Sequence, residues 1–445
     1  MDSWHLGIST DRRSIVKDDG SPFFWLGDTA WDLFARLDRE DAETYLRNRS
    51  EKGFTVIQAV AVMGYHIPFN TANVYGQRPF TDSDPEQVDL RGRDNYWTHV
   101  DHVVDAAARH GLYVGLLPTW GSFVCERDPS FTRETLTTYV SWIANRYKDR
   151  PNIIWVNGGD ADLKFHDWAD VPIWNAAGAA IRGSDPNHLI TYHPRGGSSS
   201  SAQFHNQAWL DLNTYQSGHG SRYQRGDQMA ACDWALSPIK PTLDSESCYE
   251  QHPINWTFEN GNIDDHDVRR AAYGALMAGA CGHTYGHVNL WVFNRPEEDV
   301  PELTSVEMPH HVHWKQAMDR PGAWQLQYAK KLFLSRPFLT RRPAQSVLLD
   351  TSHGQRALQG DGFLFAYSPL GHALEVDLAE LPWSDHAFWW FDPRTGSAYG
   401  ISVEVEDGRA SISPPGTPYR GNDWVLVIDD AGLASGAPGV VKADF

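Results

Sequence analysis

Cysteine is scarce in this 445-residue chain, and its few copies form no recognisable site. The four copies are Cys125, Cys232, Cys248 and Cys281. None has the CxxC or CxxxC spacing that zinc and dithiol redox sites use, so we expect buried free thiols. The chain also has no glycine-rich phosphate loop and no G-x-S-x-G nucleophile elbow. These absences disfavour nucleotide-dependent enzymes and α/β-type serine hydrolases.

Positive charge is also sparse. Lys and Arg total 38 against 57 Asp and Glu, which gives a net charge of −19, and no Lys/Arg cluster interrupts this background. A protein that binds a phosphate backbone needs concentrated positive charge, so no nucleic-acid partner is predicted. A strongly polyanionic substrate would be repelled as well, although salt screens that repulsion within about 10 Å.

The sequence has no long apolar run. No stretch of 18 apolar residues occurs, and the first residues have no basic segment followed by an apolar one. We therefore expect no membrane partner and a cytoplasmic location, or a secreted protein if a leader has been removed. The sequence leaves the oligomeric state open.

Aromatic residues, by contrast, are abundant, with 19 Trp, 17 Tyr and 19 Phe. Together with a hydrophobic fraction of 41% they indicate a large core. Many Trp residues also suit a carbohydrate partner, because indole faces pack against the C–H faces of sugar rings.

Apolar β-rich runs alternate with helical patterns over most of the chain, which predicts an α/β fold with a (β/α)8 barrel at residues 1–338. The eight predicted strands are 23–29, 55–62, 113–119, 153–157, 189–193, 210–215, 241–246 and 282–286. The predicted helices are 38–46, 97–109, 131–147, 269–280 and 314–334.

The character of the sequence changes near residue 338. Short alternating runs with turn signals follow, at 346–349, 362–367, 387–391 and 423–428. This pattern predicts a second domain at 339–445, an antiparallel β-sandwich.

Two predicted strands end in a carboxylate. Asp160 follows the fourth strand and a Gly-Gly pair, and Glu246 ends the seventh strand. Barrel strand ends converge on one mouth, where two carboxylates can serve as the acid and as the nucleophile or base of glycoside hydrolysis. Asp162 competes with Asp160, and Asp244 should lie one layer below Glu246 on the same face. The separation of the two carboxylates decides between retention and inversion, and the sequence does not give it.

Other strand ends supply candidate substrate-binding residues. These are Asp28, Gln58, Trp120, His193 and Tyr215, of which Tyr215 could donate a hydrogen bond to Glu246. We expect no cofactor and no metal. The His-rich run of His310, His311 and His313 and the pair His283 and His287 invite a metal interpretation. His283 and His287 have i, i+4 spacing but stand among glycines, where a helix is disfavoured, so that spacing loses its meaning.

Several motifs in one order resemble a known family. They are Pro22–Phe34, Lys52–Ala59, Gly115–Gly121, Arg150–Trp155 leading into Gly158-Gly159-Asp160, and Pro241–Glu246. The chain resembles the apiosidase-like glycoside hydrolases, glycoside hydrolase family 140 in the DUF4038 group, which have a barrel with an appended collagen-binding-like sandwich. The resemblance implies an acid/base aspartate at Asp160, a nucleophile at Glu246, and release of β-linked D-apiose from plant glycans or glycosides.

A retaining hydrolase acting on apiofuranosides is therefore our first hypothesis. The alternatives among enzymes are an exo-furanosidase acting on galactofuranosyl or arabinofuranosyl ends, and an endo-glycanase. The alternative from another class is a non-catalytic carbohydrate-binding protein, suggested by the sandwich with Trp389 and Trp390.

Overall fold

The computed structural model describes residues 5–63, 67–125, 130–161, 163, 169–223, 225–297 and 312–441. It begins with a small antiparallel sheet of strands β1 (Leu6–Ile8), β2 (Ile15–Lys17) and β3 (Pro22–Phe23). No helix among the described residues is long and apolar enough to cross a membrane.

A nine-stranded sheet forms a nearly closed barrel. Its strands are β4 (Trp25–Thr29), β5 (Val56–Val62), β6 (Tyr113–Thr119), β7 (Ile153–Ala161), β8 (Ile190–Pro194), β9 (Ser198–Ser199), β10 (Asn213–Gln216), β11 (Thr242–Asp244) and β12 (Gly282–Tyr285). They run in the order β8-β7-β6-β5-β4-β12-β11-β10-β9, and every pairing is parallel except β9 with β10. The ring opens between β8 and β10, the fifth and sixth of the eight predicted strands.

Helices occupy the connections of the barrel. They are α1 (Leu33–Arg36), α2 (Arg39–Glu51), α3 (Tyr96–Arg109), α4 (Ser122–Cys125), α5 (Arg133–Tyr147), α6 (Val171–Ser184), α7 (Ser201–Phe204), α8 (Gly226–Trp234), α9 (Asp265–Met277), α10 (Trp314–Ala317) and α11 (Pro321–Leu334). Their starts are set by local sequence. Asp38 caps α2 by accepting from the Asp41 amide at 2.8 Å, and Asn95 with Thr98 forms a capping box at α3.

The barrel interior is filled in layers. At the N-terminal ends of the strands, Val56, Ile154 and Leu243 pack with Ile15 from the small first sheet. Towards the C-terminal ends, a second cluster contains Leu117 and several aromatic residues. The barrel is therefore a packed core, and its upper layer forms the floor of the mouth.

The C-terminal part is a β-sandwich. A six-stranded antiparallel sheet has the order β13-β14-β15-β20-β17-β18 and faces a two-stranded sheet of β16 and β19. The strands are β13 (Arg342–Pro343), β14 (Arg356–Gly360), β15 (Phe363–Ser368), β16 (Leu374–Asp377), β17 (His386–Phe391), β18 (Ala398–Ile401), β19 (Arg409–Ile412) and β20 (Trp424–Asp430). Single-turn 3-10 helices lie at Thr81–Ser83, Ile254–Trp256, Phe258–Asn260, Phe338–Thr340, Gln345–Val347, Leu378–Glu380 and Ala431–Leu433.

Alternate side chains of β15 pack against the barrel and against the sandwich core. Phe363, Phe365 and Tyr367 of β15 belong to the cluster that contains the barrel helices, whereas Leu364 and Ala366 belong to the core between the two sandwich sheets. The six-stranded sheet is therefore covered on both faces.

Two buried ion pairs strengthen this junction. Arg269 of α9 donates to both carboxylate oxygens of Asp423 at 3.0 and 2.8 Å, and Tyr367 donates to the same carboxylate at 3.2 Å. Arg336 makes two bonds of 2.7 Å to Asp429. Paired, desolvated arginines of this kind hold the two units in a defined arrangement.

The predicted barrel with a C-terminal sandwich is confirmed, with local differences. The sixth strand begins at Asn213, the seventh ends at Asp244, and the run predicted as a strand at 346–349 begins with a 3-10 turn. The predicted helix at 314–334 is two helices, because Pro321 starts a new helix at its first turn. The division of domains at residue 338 stays a prediction.

Candidate active site

A cavity of about 1390 Å³ opens at the C-terminal ends of the barrel strands. Asp160 and Glu246 both line it. The barrel thus brings the two predicted carboxylates into one cavity, although they lie far apart in the sequence.

A bulge in β7 positions Asp160. The pairing register of β7 with β8 shifts between Gly158 and Ala161, and φ is 89° at Gly158, 117° at Gly159 and 51° at Asp160. A Cβ atom at Gly159 would lie only 2.8 Å from the Trp120 ring, so packing as well as conformation requires glycine there. The bulge turns the end of the strand and re-aims the Asp160 side chain.

Glu246 lies two residues beyond the end of β11 and is 4% exposed. The Tyr249 hydroxyl donates to Oε1, and His219 Nε2 is 3.3 Å from the same oxygen. His193 Nε2 lies 2.9 Å from the other oxygen, Oε2. Glu246 is therefore held at both oxygens by groups that favour its ionised form.

Asp244 faces α8, because it pairs in register with Tyr215 and a Cβ atom at Gly226 of α8 would lie 3.1 Å from its Oδ2, so the prediction that it shares a face with Glu246 is wrong. It is fully buried and accepts a hydrogen bond of 2.6 Å from the Ser217 hydroxyl. Burial is the main cause that raises the pKa of Asp244 to about 7. Its contacts make it a support for the end of the strand.

The two cavity carboxylates differ in the direction in which their pKa values are shifted. One oxygen of each, together with a His193 nitrogen, lie within 4.8 Å of one another. Burial, followed by the charge of Glu246, raises the pKa of Asp160 to about 7. Burial acts to raise the pKa of Glu246 as well, but hydrogen bonds and charges from His193 and His219 outweigh it and hold that pKa well below its usual range. A protonated acid thus faces an ionised carboxylate near neutral pH.

His193 stands between the two carboxylates. It is fully buried, and its Nε2 is 2.9 Å from Glu246 and 3.7 Å from Asp160. Its Nδ1 is 3.2 Å from the Ser245 hydroxyl oxygen, and the Ser245 hydroxyl donates to the Tyr215 carbonyl at 3.1 Å. The bond to the Tyr215 carbonyl holds Ser245 in place, and Ser245 in turn orients the His193 ring. The other ring nitrogen, Nε2, therefore faces both acids. His193 was predicted to bind substrate, and its contacts are instead with the carboxylates.

Tryptophans form the walls of the cavity. Trp120, a predicted binding residue, lines it beside Trp31, with 5.2 Å between the ring centroids. Trp291 and Trp256 line it as well, and Trp256 is 44% exposed. These flat faces beside two carboxylates suit sugar rings, and Trp120 is the predicted binding residue that faces the cavity.

The prediction that Asp28 binds substrate is wrong. Its side chain is fully buried outside the cavity, accepts from the Tyr45 hydroxyl at 2.5 Å and lies 3.5 Å from Arg49. Both partners belong to α2, so Asp28 points outward and fastens that helix to β4. The sequence places it at a strand end but does not indicate which face it occupies.

Gln58 and Tyr215 also lie outside the cavity lining. Gln58 is buried in the barrel and donates to the Ser245 carbonyl at 2.7 Å, which steadies the segment before Glu246. Tyr215 packs with Ala230 of α8 and does not reach Glu246, so the predicted hydrogen bond between them is wrong. Its side chain points from β10 towards the helices, on the face opposite to the one expected.

Three residues that sequence reasoning did not assign complete the site. Tyr249 supplies the hydroxyl that was expected from Tyr215, His219 contacts the same oxygen of Glu246, and Gln216 hydrogen-bonds Asp160. Tyr249 follows Glu246 by three positions and His219 lies between two glycines, which are weak signals without a structure.

The site also has the composition of a cation site. Asp160, His193 and Glu246 could each offer one ligand atom. His283 and His287 instead contact Ser247 and Gln251 at 3.1 Å. Asp162, His310 and His311 lie outside the described residues.

The prediction that the cysteines are buried free thiols is confirmed only in part. Cys248 and Cys281 are free and buried, but Cys232 is exposed and lines the cavity, because α8 turns it towards solvent. The side chain of Cys125 lies outside the described part of the structure.

Comparisons with known proteins agree with this geometry. Residues 9–340 match the family model described as "Apiosidase-like, catalytic domain", and residues 343–429 match one described as "Putative collagen-binding domain of a collagenase". A search of the curated proteins finds no match.

Two solved structures are similar over nearly the whole chain. One, described as a glycoside hydrolase, is 33% identical with a TM-score of 0.87, over 96% of this chain and 97% of that one. The other, a glycoside hydrolase family 5 protein from Bacteroides vulgatus ATCC 8482, is 31% identical with a TM-score of 0.88, over 97% and 95%.

Proposed function

The chain belongs to the apiosidase-like family and is a glycoside hydrolase, and from this premise we propose that it releases terminal β-D-apiofuranosyl residues with retention of configuration. Asp160 is the acid/base and Glu246 the nucleophile in this proposal. The observation that carries it is the close pair of carboxylates, whose pKa values are shifted in opposite directions.

The spacing of the pair supports the proposal of retention. Oxygens of Asp160 and Glu246 within 4.8 Å suit the short separation of retaining enzymes, about 5–5.5 Å between carboxyl groups. Inverting enzymes need roughly 6.5–9.5 Å to admit a water molecule between acid and base.

The first step uses the charge difference. Asp160 donates its proton to the leaving oxygen while ionised Glu246 attacks the anomeric carbon, which breaks the glycosidic bond and forms a glycosyl ester. In the second step, Asp160 takes a proton from water, which attacks the same carbon and frees Glu246. As Glu246 loses its charge in the ester, the pKa of Asp160 falls, which suits its second role as a base.

His193 is proposed as a positioning residue for this pair. Its Nε2 faces both acids while Ser245 fixes its ring from the other side. Its contact of 2.9 Å with Glu246 favours the ionised form of the nucleophile, which leaves the acidic proton on Asp160.

The proposal also specifies the glycone, the sugar that is released, as apiose. It rests on the family resemblance and on a lining of Trp31 and Trp120 next to the carboxylates. The cavity is much larger than one pentose, so its remainder would receive the aglycone. Placement in glycoside hydrolase family 140 belongs to the same proposal.

Hydrolysis of a para-nitrophenyl glycoside panel that includes β-D-apiofuranoside tests the function. We expect release of apiose by the wild type and by the exposed-site control Asp149→Asn, and loss of activity in Asp160→Asn and Glu246→Gln. Activity on a galactofuranoside or arabinofuranoside that both variants lose would keep the mechanism and replace the glycone. Activity that survives in both variants would refute the assignment of the pair.

Two further experiments test a metal-dependent reaction and an endo-glycanase activity. A chelator should leave the rate unchanged, because the proposed reaction needs no cation at Asp160, His193 and Glu246. Cleavage within a polymer, without release of single sugars, would favour an endo-glycanase.

The carbohydrate-binding alternative has lost its main support. Trp390 is 2% exposed in the sandwich core, and Trp389 packs against the cluster shared with the barrel. We propose that the sandwich is a structural support for the barrel, in agreement with the buried pair of Arg269 and Asp423.

A further inference from the structure

A second, smaller cavity lies beside the first, at the junction of α8, α9 and the sandwich. Its volume is about 310 Å³, and we call it the junction pocket. Four arginines line it, namely Arg222, Arg225, Arg270 and Arg356, together with one carboxylate, Asp227. This concentration of guanidinium groups stands out in a chain with a net charge of −19.

Two of the four arginines are neutralised. Arg356 forms an ion pair with Asp227, and Arg222 lies 2.8 Å from Asp267. The other two contact neutral groups. Arg225 donates to the Gln228 side chain at 2.8 Å, and the Arg270 guanidinium lies 4.3 Å from the centre of the Tyr223 ring.

The junction pocket therefore has a net positive charge, carried by Arg225 and Arg270. Among the described residues, no carboxylate oxygen lies within 4 Å of the Arg225 or Arg270 guanidinium. Like charges confined in a small pocket repel one another, so a bound anion would lower the energy of the pocket.

Helix α8 adds to the positive electrostatic potential of the junction pocket. It begins at Gly226 in the wall of the junction pocket, and Arg225 at its N-cap makes no side-chain capping bond. The first turn of a helix carries partial positive charge and amide donors, which favour an anion nearby.

We propose that the junction pocket is a binding site for an oxyanion, a carboxylate, sulfate or phosphate group, held by Arg225 and Arg270. Planar guanidinium groups bind such oxygens in pairs of hydrogen bonds. The anion can be free, or it can be carried on a sugar. The proposal goes beyond the hydrolase activity and does not depend on the identity of the glycone.

The site also adjoins the catalytic cavity. Tyr223, Arg225 and Gln228 line both cavities. An anion in the junction pocket would thus fix one wall of the catalytic cavity, which gives it a route to influence how a substrate is held.

Calorimetric titration of the full-length protein tests the proposal. Sodium sulfate is the first probe, measured against sodium chloride at equal ionic strength, and sodium glucuronate against glucose is the second. We expect saturable binding of sulfate or glucuronate, and none of chloride or glucose. Sulfate bound more tightly than glucuronate supports a free anion, whereas the reverse order supports an anionic sugar.

Variants locate the binding. Arg225→Gln and Arg270→Gln should each weaken it by about tenfold or more, since each removes a charge-assisted hydrogen bond. Arg91→Gln removes the same charge from an exposed arginine outside both cavities and should change nothing. Arg270→Lys keeps the charge and should retain most of the affinity.

Three outcomes would overturn the proposal. The first is the absence of saturable binding, and the second is equal binding in the wild type and both glutamine variants. The third is a loss in Arg270→Lys as large as that in Arg270→Gln while Arg225→Gln binds normally, because packing and not charge would then explain the effect.

Discussion

Replacement of Asp160 by asparagine should stabilise the protein at alkaline pH while it abolishes activity. Burial and the charge of Glu246 raise the pKa of Asp160 from 3.8 to about 7. That shift is about three units, and each unit corresponds to about 1.4 kcal/mol, so the ionised carboxylate costs the folded protein about 4 kcal/mol. Solvent reduces this cost, because the Asp160 side chain is 28% exposed.

The sign follows from proton linkage. At low pH both the folded and the unfolded state hold the proton, and no penalty exists. Between pH 3.8 and about 7 the unfolded state loses its proton first, so the wild type becomes progressively less stable, and above pH 7 the penalty is complete. Asparagine has no charge to lose and tolerates the positive φ of 51° at this position.

Scanning calorimetry at pH 5 and pH 8 measures the effect. The melting temperature of Asp160→Asn should exceed that of the wild type at pH 8, by more than it does at pH 5. The exposed control Asp149→Asn should follow the wild type at both values. A constant difference between Asp160→Asn and the wild type, or a more stable wild type at pH 8, would refute the electrostatic reasoning.

Other consequences can be measured with single substitutions. His219→Asn removes a neighbour whose electrostatic effect lowers the pKa of Asp160, so the fall in kcat/KM near pH 7 should move to higher pH; an unmoved profile would contradict this. Tyr249→Phe should lower kcat/KM about 10- to 100-fold, because a hydrogen bond to a charged group is lost, whereas Tyr215→Phe should leave it unchanged; equal effects would count against the site as described. Arg269→Met leaves Asp423 buried and unpaired, which should cost about 3–5 kcal/mol of stability by calorimetry, and an unchanged melting temperature would show that the junction does not need the pair.

Much of the fold is readable from the sequence because the barrel repeats one simple pattern. Each buried strand is an apolar run, and helix starts such as Asp38 and Asn95 carry capping side chains. Runs of this kind specify element type and order, so the barrel and the sandwich could be predicted.

The face that each side chain occupies is harder to predict. Asp28 and Tyr215 sit at strand ends like true site residues, yet both point outward, towards α2 and α8. A strand of four or five residues gives too few alternations to fix its register against neighbours that are distant in sequence.

Loops account for the rest of the site. Tyr249 and His219 reach Glu246 from irregular segments whose path depends on tertiary packing, and the bulge that aims Asp160 has only a Gly-Gly pair as its signal. The predicted carboxylates were found because the strand ends of a barrel always meet, whatever the loops do.

The covalent intermediate is the most direct test of the central hypothesis. A 2-deoxy-2-fluoro derivative of the sugar that the glycoside panel releases, with an activated leaving group, should accumulate as a glycosyl ester, and mass spectrometry of the digested protein should place it on Glu246. The adduct should be absent in Glu246→Gln. An adduct on another carboxylate, or inversion of configuration in the first product without any adduct, would contradict the proposed mechanism.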